Sequence, residues 1–160
     1  ALLNMRHWLF KSEPGCFSFK DLLTRPDSTE HWDGVRNFQA RNFLRDEIKT
    51  GDRVLFYHSS IPEPAVVGLC TVVRAGYPDH TALDPASEHH YPKSTPDKPI
   101  WYMVAVRADM AMPHEVSLAV IRQHPALSEM PLVNRSRLSV QPVTFEQFTI
   151  ITRLGGIHAP

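Results

Sequence analysis

Short apolar runs, most of them closed by proline, glycine or polar residues, recur along this chain and predict several strands. Aromatic and β-branched residues dominate five runs, which we interpret as strands over 8–12, 53–59, 66–73, 100–107 and 138–143. The proline-rich segment 60–64 between the second and third runs is incompatible with a helix. We therefore expect strands 53–59 and 66–73 to pair with each other.

Helix signals appear in four segments between these runs. Capping boxes open the first and the last helix, at Ser18–Asp21 and Thr144–Gln147. Apolar residues three and four positions apart predict the second helix over about 38–48, which Gly51 closes. The third helix covers 117–123 and stops ahead of a proline, and two glycines end the last helix.

The order of these elements predicts a single α+β domain over residues 5–156, with no repeat and no linker. Its sheet is expected to be curved or to close into a small β-barrel, flanked by short helices. Segment 76–99 carries five of the fourteen prolines and is predicted to be one long loop. Loops of this length are usually functional or mobile.

Composition narrows the function classes. Lys and Arg together equal Asp and Glu, at 17 each. Tight binding of long nucleic acid by phosphate neutralisation needs a surplus of cations, so the balance favours recognition in a pocket with a local basic rim. The two cysteines form no metal-type pair, and no apolar run has the length of a membrane span, which suits a cytoplasmic protein. We expect no metal, because the His89-His90 pair has no zinc-site spacing. We also expect no cofactor and a monomer.

The segment 32–42 carries the densest set of hydrogen-bonding groups, with the sequence Trp-Asp-Gly-Val-Arg-Asn-Phe-Gln-Ala-Arg-Asn. An aromatic ring, guanidinium groups and amides together suit a planar ligand such as a nucleobase. Trp32 lies outside any periodic apolar face, so we expect its ring to be partly exposed on a loop. Arg36 and Asn37 fall at a predicted helix start, where phosphate or carbonyl oxygens bind well, although Asn37 could equally be the N-cap.

Two strand ends supply further candidates. Lys11 and Ser12 are adjacent in a strand and point to opposite faces, so they cannot form a catalytic dyad. Ser12 shares a face with the aromatic residues of its strand, and Lys11 is left for the opposite side or a ligand rim. Tyr57 and His58 end another strand and could border the same site, although a lone histidine in a strand more often has a structural hydrogen bond.

Several blocks, spread over residues 8–143, resemble the EVE domain family. They are Trp-Leu-Phe-Lys-Ser-Glu-Pro at 8–14, the segment 32–42, Phe-Tyr-His-Ser-Ser at 56–60, Tyr-Pro-Asp at 77–79 and Arg-Leu-Ser-Val-Gln-Pro-Val at 137–143. Phenylalanine replaces a frequent tyrosine at positions 17 and 38, and serine replaces a common asparagine at position 60, changes that affect fine specificity more than fold. The resemblance implies a PUA-like fold, with a mixed curved sheet or small barrel, and a distant similarity to YTH domains.

The resemblance also implies a function. EVE domains are thought to bind modified bases, notably 5-methyl- or 5-hydroxymethylcytosine, so the expected partner is nucleic acid, DNA or RNA, that carries a modified base. The residues that the resemblance places in the pocket are Lys11, Ser12, Trp32, Arg36, Asn37, Tyr57, His58, Ser59, Ser139 and Pro142. It supplies no catalytic residue, so we expect a binding module.

Two other functions remain open from the sequence. A hydrolase or nuclease acting on modified nucleotides could use Glu13, Asp33 and His58 as acid–base groups, although no spacing specifies a reaction. A protein-interaction domain could use the loop 76–99 as its docking surface.

Overall fold

One mixed sheet organises the computed structural model, which describes residues 5–158. Its six strands are β1 (His7–Ser12), β2 (Thr29–His31), β3 (Arg53–His58), β4 (Ala65–Pro78), β5 (Tyr102–Ser117) and β6 (Val140–Val143). They lie in the order β2-β5-β4-β3-β1-β6. β1 and β3 are parallel, and the other neighbouring strands are antiparallel. The sheet is curved. Within residues 5–158 no pairing joins the edge strands β2 and β6, so the sheet does not close into a barrel.

The two central strands are much longer than their apolar runs predict. β4 and β5 have 14 and 16 residues, and four register shifts interrupt their pairing. Such bulges bend a strand and increase its twist, which accounts for the curvature of the sheet. The predicted strand 100–107 stops short of the observed end of β5, because residues 108–117 lack a β-branched or aromatic run. Pairing with β4 keeps those residues extended, and pairing with β5 similarly orders the short polar strand β2.

Five short α-helices flank the sheet in the described residues: α1 (Phe19–Thr24), α2 (Phe38–Asn42), α3 (Leu118–Gln123), α4 (Pro131–Asn134) and α5 (Phe145–Leu154). Both predicted capping boxes are confirmed, at the starts of α1 and α5. The predicted helix 38–48 is α-helical only to Asn42 and continues as a π-helical turn over Phe43–Glu47. α4 was not predicted. None of the described helices is long and apolar enough to cross a membrane.

In the described residues, strand alternation divides most of the core into two large clusters, one on each face of the sheet. A third, small cluster contains Tyr77, Met103 and Ala105. Trp8 and Phe10 of β1 belong to the first cluster, which the helices α1 and α2 cover, whereas Leu9 belongs to the second, which α3, α4 and α5 cover. In β3 the same alternation places Phe56 in the first cluster and Tyr57 in the second. The first cluster also contains Trp32, and the candidate site lies on that side.

Candidate functional site

A cleft of about 660 Å³ opens above the first cluster, between the end of β1 and the segment that follows β2. Five of the ten residues expected in the pocket line this cleft, namely Lys11, Ser12, Trp32, Arg36 and Ser139. The other five do not, namely Asn37, Tyr57, His58, Ser59 and Pro142. The structure therefore brings together the end of β1, the residue that precedes β6 and the Trp-Asp-Gly-Val-Arg segment.

Three of the excluded residues have structural partners. Asn37 is the N-cap of α2, where its Oδ1 accepts a hydrogen bond from Ala40 N at 2.9 Å. The imidazole Nε2 of His58 accepts from Phe19 N–H at 3.1 Å, and burial lowers the pKa of His58. Burial in the second cluster raises the pKa of Tyr57 to about 12.

The remaining two, Ser59 and Pro142, lie outside the cleft. Pro142 pairs with Trp8 in the ladder between β1 and β6, and Ser59 lines a neighbouring cavity. Glu13 and Asp33 line the cleft, but His58 does not, so the three acid–base groups of the enzyme hypothesis are not assembled in one place.

The floor of the cleft is formed by Trp32, and the expectation of a partly exposed ring was wrong. The residue is only 7% exposed, and its ring centroid lies 5.1 Å from that of Phe10 and 5.3 Å from that of Phe56. Its backbone N–H donates to Val104 O at 2.8 Å, which extends the pairing of β2 by one residue. That bond fixes the indole over the first cluster, so only a small part of it reaches the cleft.

One side of the cleft, which we call the β2 wall, is made by residues 30–36 and by residues 80, 88 and 89 of the long loop. Gly34 has a φ of +76°, and its N–H donates to Asp79 Oδ2 at 2.9 Å. A Cβ at this position would lie 2.8 Å from the His89 ring. Glycine is thus required here both by the left-handed backbone and by the close approach of the loop.

Asp79 holds the β2 wall together from behind. It is 1% exposed and also accepts from Thr81 N at 2.8 Å and from Arg36 Nη1 at 2.9 Å. Burial alone would raise the pKa of Asp79, but the hydrogen bonds from Thr81, Gly34 and Arg36 outweigh it and hold the pKa below its usual value. The carboxylate is therefore ionised and fully occupied by protein donors.

Arg36 fastens the long loop to this wall. Its Nη1 donates to Asp79 and to Val35 O at 3.0 Å, and its Nη2 donates to His89 O at 2.6 Å. The guanidinium also lies over the Trp101 ring, 5.4 Å from its centroid. These contacts make Arg36 chiefly a positioning residue, whereas the sequence suggested a ligand for phosphate or carbonyl oxygen.

The opposite side, which we call the β1 wall, consists of residues 11–13 and Ser139. Lys11 N donates to Ser139 O at 2.8 Å, and Lys11 Nζ donates to Ser136 O at 2.9 Å. Among residues 5–158 no carboxylate lies within 4.0 Å of this ammonium group. Burial lowers the pKa of Lys11. The Ser12 hydroxyl donates to Phe17 O, so its lone pairs remain free to accept.

The cleft mouth contains five groups that were not among the expected pocket residues. Glu30, Glu88, His31, His80 and His89 all line it. Loss of solvation, and then the negative charge of Asp79, raise the pKa of Asp33 at the same rim. The Tyr-Pro-Asp block at 77–79 was the available signal for this loop, but it did not show that Asp79 would reach the Gly34 turn.

A family profile for the EVE domain matches residues 6–154. This chain belongs to the EVE domain family. Human thymocyte nuclear protein 1 is 42% identical to this EVE domain protein, over 92% of this chain and 73% of the human protein.

Solved structures agree with the fold. A hypothetical protein from Leishmania major has a TM-score of 0.90 at 43% identity, covering 95% of each chain. A Pseudomonas putida protein has a TM-score of 0.88 at 47% identity, covering 93% of this chain and 99% of its own. The human THYN1 protein, solved in complex with DNA containing 5-methylcytosine, has a TM-score of 0.88 at 42% identity and covers 94% of this chain and 97% of its own.

Proposed function

We propose that this EVE domain protein binds DNA that carries 5-methylcytosine and takes the modified base into the cleft. The observation that carries the proposal is the human relative in complex with 5-methylcytosine DNA, which is 42% identical and has the same fold over 94% of this chain. A base inside a duplex is out of reach of a cleft, so binding requires the nucleotide to be rotated out of the stack.

The chemistry of the cleft suits a cytosine. The base offers an amino group as donor and ring N3 and O2 as acceptors. Carboxylates at the mouth, including Asp33, can accept from the amino group, and the imidazole of His80 can donate an N–H to a ring acceptor. The cleft volume of about 660 Å³ lies within the ordinary range of small-ligand sites.

The methyl group needs an apolar surface. Phe17 and Val35 supply one beside the exposed part of Trp32. One methyl group in an apolar slot contributes only about 1–3 kcal/mol, so we expect a preference for the methylated base of roughly tenfold to a hundredfold. Binding of RNA or of 5-hydroxymethylcytosine, a monomeric state and a cytoplasmic location stay predictions.

Three matched duplexes test the proposal, each with one central cytosine, 5-methylcytosine or 5-hydroxymethylcytosine. Fluorescence anisotropy should give a Kd for the methylated duplex that is about tenfold to a hundredfold lower than for the unmodified one. Equal binding of all three duplexes would contradict the proposal.

Cys16 offers a variant that blocks the cleft without touching the core, because its side chain is exposed and lines the cleft. Cys16→Trp should remove the preference for the methylated duplex, and Cys16→Ser should keep it. Urea unfolding of both variants checks that the fold is unchanged. A methyl preference that survives in Cys16→Trp would place the recognition site elsewhere.

A further inference from the structure

Two smaller cavities continue from the β1 wall away from the base cleft. The second cavity, of about 420 Å³, shares Lys11, Glu13 and Ser139 with the cleft. The third cavity, of about 280 Å³, shares Ser136 with the second. Segment 134–139 therefore contributes to all three cavities and connects the second and third cavities to the cleft. We call the surface that lines the second and third cavities the strip.

The strip concentrates cations that have no acidic partner. Arg122 lines the second cavity with Lys11, and Arg135 and Arg137 line the third. In the described part of the chain none of these four side chains has a carboxylate oxygen within 4.0 Å. The strip also carries one carboxylate, that of Glu13, whose Oε1 accepts from Ser60 Oγ at 3.1 Å. The local charge is thus positive, although the whole chain has a net charge of zero.

The other side of the cleft has the opposite character. The two arginines on the β2 side already form ion pairs, because Arg25 Nε lies 2.8 Å from Glu30 Oε2 and Arg36 Nη1 lies 2.9 Å from Asp79 Oδ2. Asp33 and Glu88 add further negative charge to that rim. A polyanion approaching the cleft is therefore attracted on the β1 side and repelled on the β2 side.

We propose that the second and third cavities form a phosphate-binding strip for the backbone of the DNA strand whose base enters the cleft. This inference rests on the proposed function and adds the direction in which the strand runs. Phosphate oxygens accept hydrogen bonds from ammonium, guanidinium and hydroxyl groups. The strip offers all three, including the hydroxyl groups of Ser59 and Ser136. A half-buried ammonium without a counter-ion is costly, and a bound phosphate supplies the missing charge to Lys11.

Charge-removing variants test the strip. Arg122 is exposed in the last turn of α3, and Arg153 is exposed in the last turn of α5, outside all three cavities, so Arg153→Gln matches Arg122→Gln. The test variant is Arg122→Gln with Arg137→Gln. The control is Arg153→Gln with Lys98→Gln, which removes two exposed charges elsewhere. Both double variants are titrated with the 5-methylcytosine duplex and with the unmodified duplex at several salt concentrations.

The test variant should raise the Kd for both duplexes by the same factor, roughly tenfold to a hundredfold. The slope of log K against log salt should become shallower by about 0.9 for each lost phosphate contact. The ratio of the two affinities should not change, because the base cleft is intact. The control should match the wild type in Kd and in slope.

Two results separate this inference from the proposed function. A test variant that behaves like the control would overturn the strip, even if the wild type prefers the methylated duplex. A wild type that binds both duplexes equally, with the slope still reduced in the test variant, would refute methyl recognition and support the strip.

Discussion

Arg36 and Lys11 lie on opposite walls of the cleft, and the two cations have different surroundings. On the β2 wall, Arg36 donates to Asp79 and to two backbone carbonyls. On the β1 wall, Lys11 donates to one carbonyl, that of Ser136, and no carboxylate of residues 5–158 lies within 4.0 Å of it. The first cation is satisfied by the protein, and the second keeps its charge available.

A binding site needs both a preformed shape and a source of affinity, and the two cations differ in which of these they supply. A fully paired network such as that around Asp79 holds the loop 80–89 in place before a ligand arrives, which lowers the ordering cost of binding. An unpaired, half-buried cation gains most from an incoming anion, because the ligand supplies the missing charge. We infer that the β2 wall supplies the shape of the cleft and that the β1 wall supplies affinity.

Trp32 lies in segment 30–36 and forms the floor of the cleft between the two walls. Trp32→Ala should lower the free energy of unfolding by about 3–5 kcal/mol, the usual cost of deleting a buried tryptophan. Its ring contacts with Phe10 and Phe56 would be lost and a cavity would remain under the cleft. Urea denaturation followed by circular dichroism measures this change.

Phe38→Ala is the matched control, because Phe38 is 54% exposed and stacks on Trp101 outside the first cluster. We expect that variant to lose about 1 kcal/mol or less. If Trp32→Ala unfolds at the same urea concentration as Phe38→Ala, the indole is not a core residue and the two walls do not share a floor.

Asp79→Asn should affect the β2 wall alone. Either orientation of the amide places an NH2 group against donors that the carboxylate now satisfies, from Gly34 and Arg36 on one oxygen and from Thr81 on the other. We expect a loss of about 2–3 kcal/mol at pH 7. The native pKa of Asp79 is lowered, so its contribution is present above the unfolded pKa of about 3.9 and is lost as the pH falls through the native pKa.

The stability difference between wild type and Asp79→Asn should therefore shrink as the pH falls below about 4. Asp97→Ala removes an exposed carboxylate from the same long loop and should change stability by no more than about 0.5 kcal/mol. A difference for Asp79→Asn that stays constant between pH 7 and pH 3 would show that the charge of Asp79 does not stabilise the wall.

The sequence correctly predicted the helix starts that depend on hydrogen bonds between neighbouring residues. The capping boxes at Ser18 and Thr144 depend on residues three positions apart, and both are present. The strand segment 108–117 and β2 depend on partners far along the chain, so their own residues carry little signal. Hydrogen-bonded pairing between distant β-strands orders those elements, and no short sequence pattern encodes it.

The candidate site also depends on long-range contacts that the sequence does not reveal. Trp32 lies outside an apolar repeat, so the sequence predicted an exposed ring. In the structure its backbone N–H bonds to Val104 O and its side chain is buried in the core. The interaction between Gly34 and Asp79 joins residues 45 positions apart. The sequence could identify the Trp-Asp-Gly-Val-Arg segment as important, but only the fold shows that its arginine mainly positions a loop.

The smallest effect we expect concerns the β1 wall and appears in the pH dependence of DNA binding. Burial lowers the pKa of Lys11, so this side chain starts to lose its charge at a lower pH than an exposed lysine. A bound phosphate favours the charged form, and binding should therefore be accompanied by proton uptake as the pH approaches the pKa of the free protein. The Kd for the 5-methylcytosine duplex should therefore rise between pH 7 and pH 9.5 at constant salt.

Lys11→Arg keeps the positive charge at every pH in this range, because a guanidinium does not deprotonate in proteins. Its Kd should change less with pH than that of the wild type, and Lys98→Arg, an exposed lysine outside the three cavities, should behave like the wild type. If the wild type and Lys11→Arg share one pH profile, the Lys11 ammonium does not meet the DNA, and the β1 wall has no role in affinity. The contrast with Arg36, whose charge is already paired, would then have no consequence for binding.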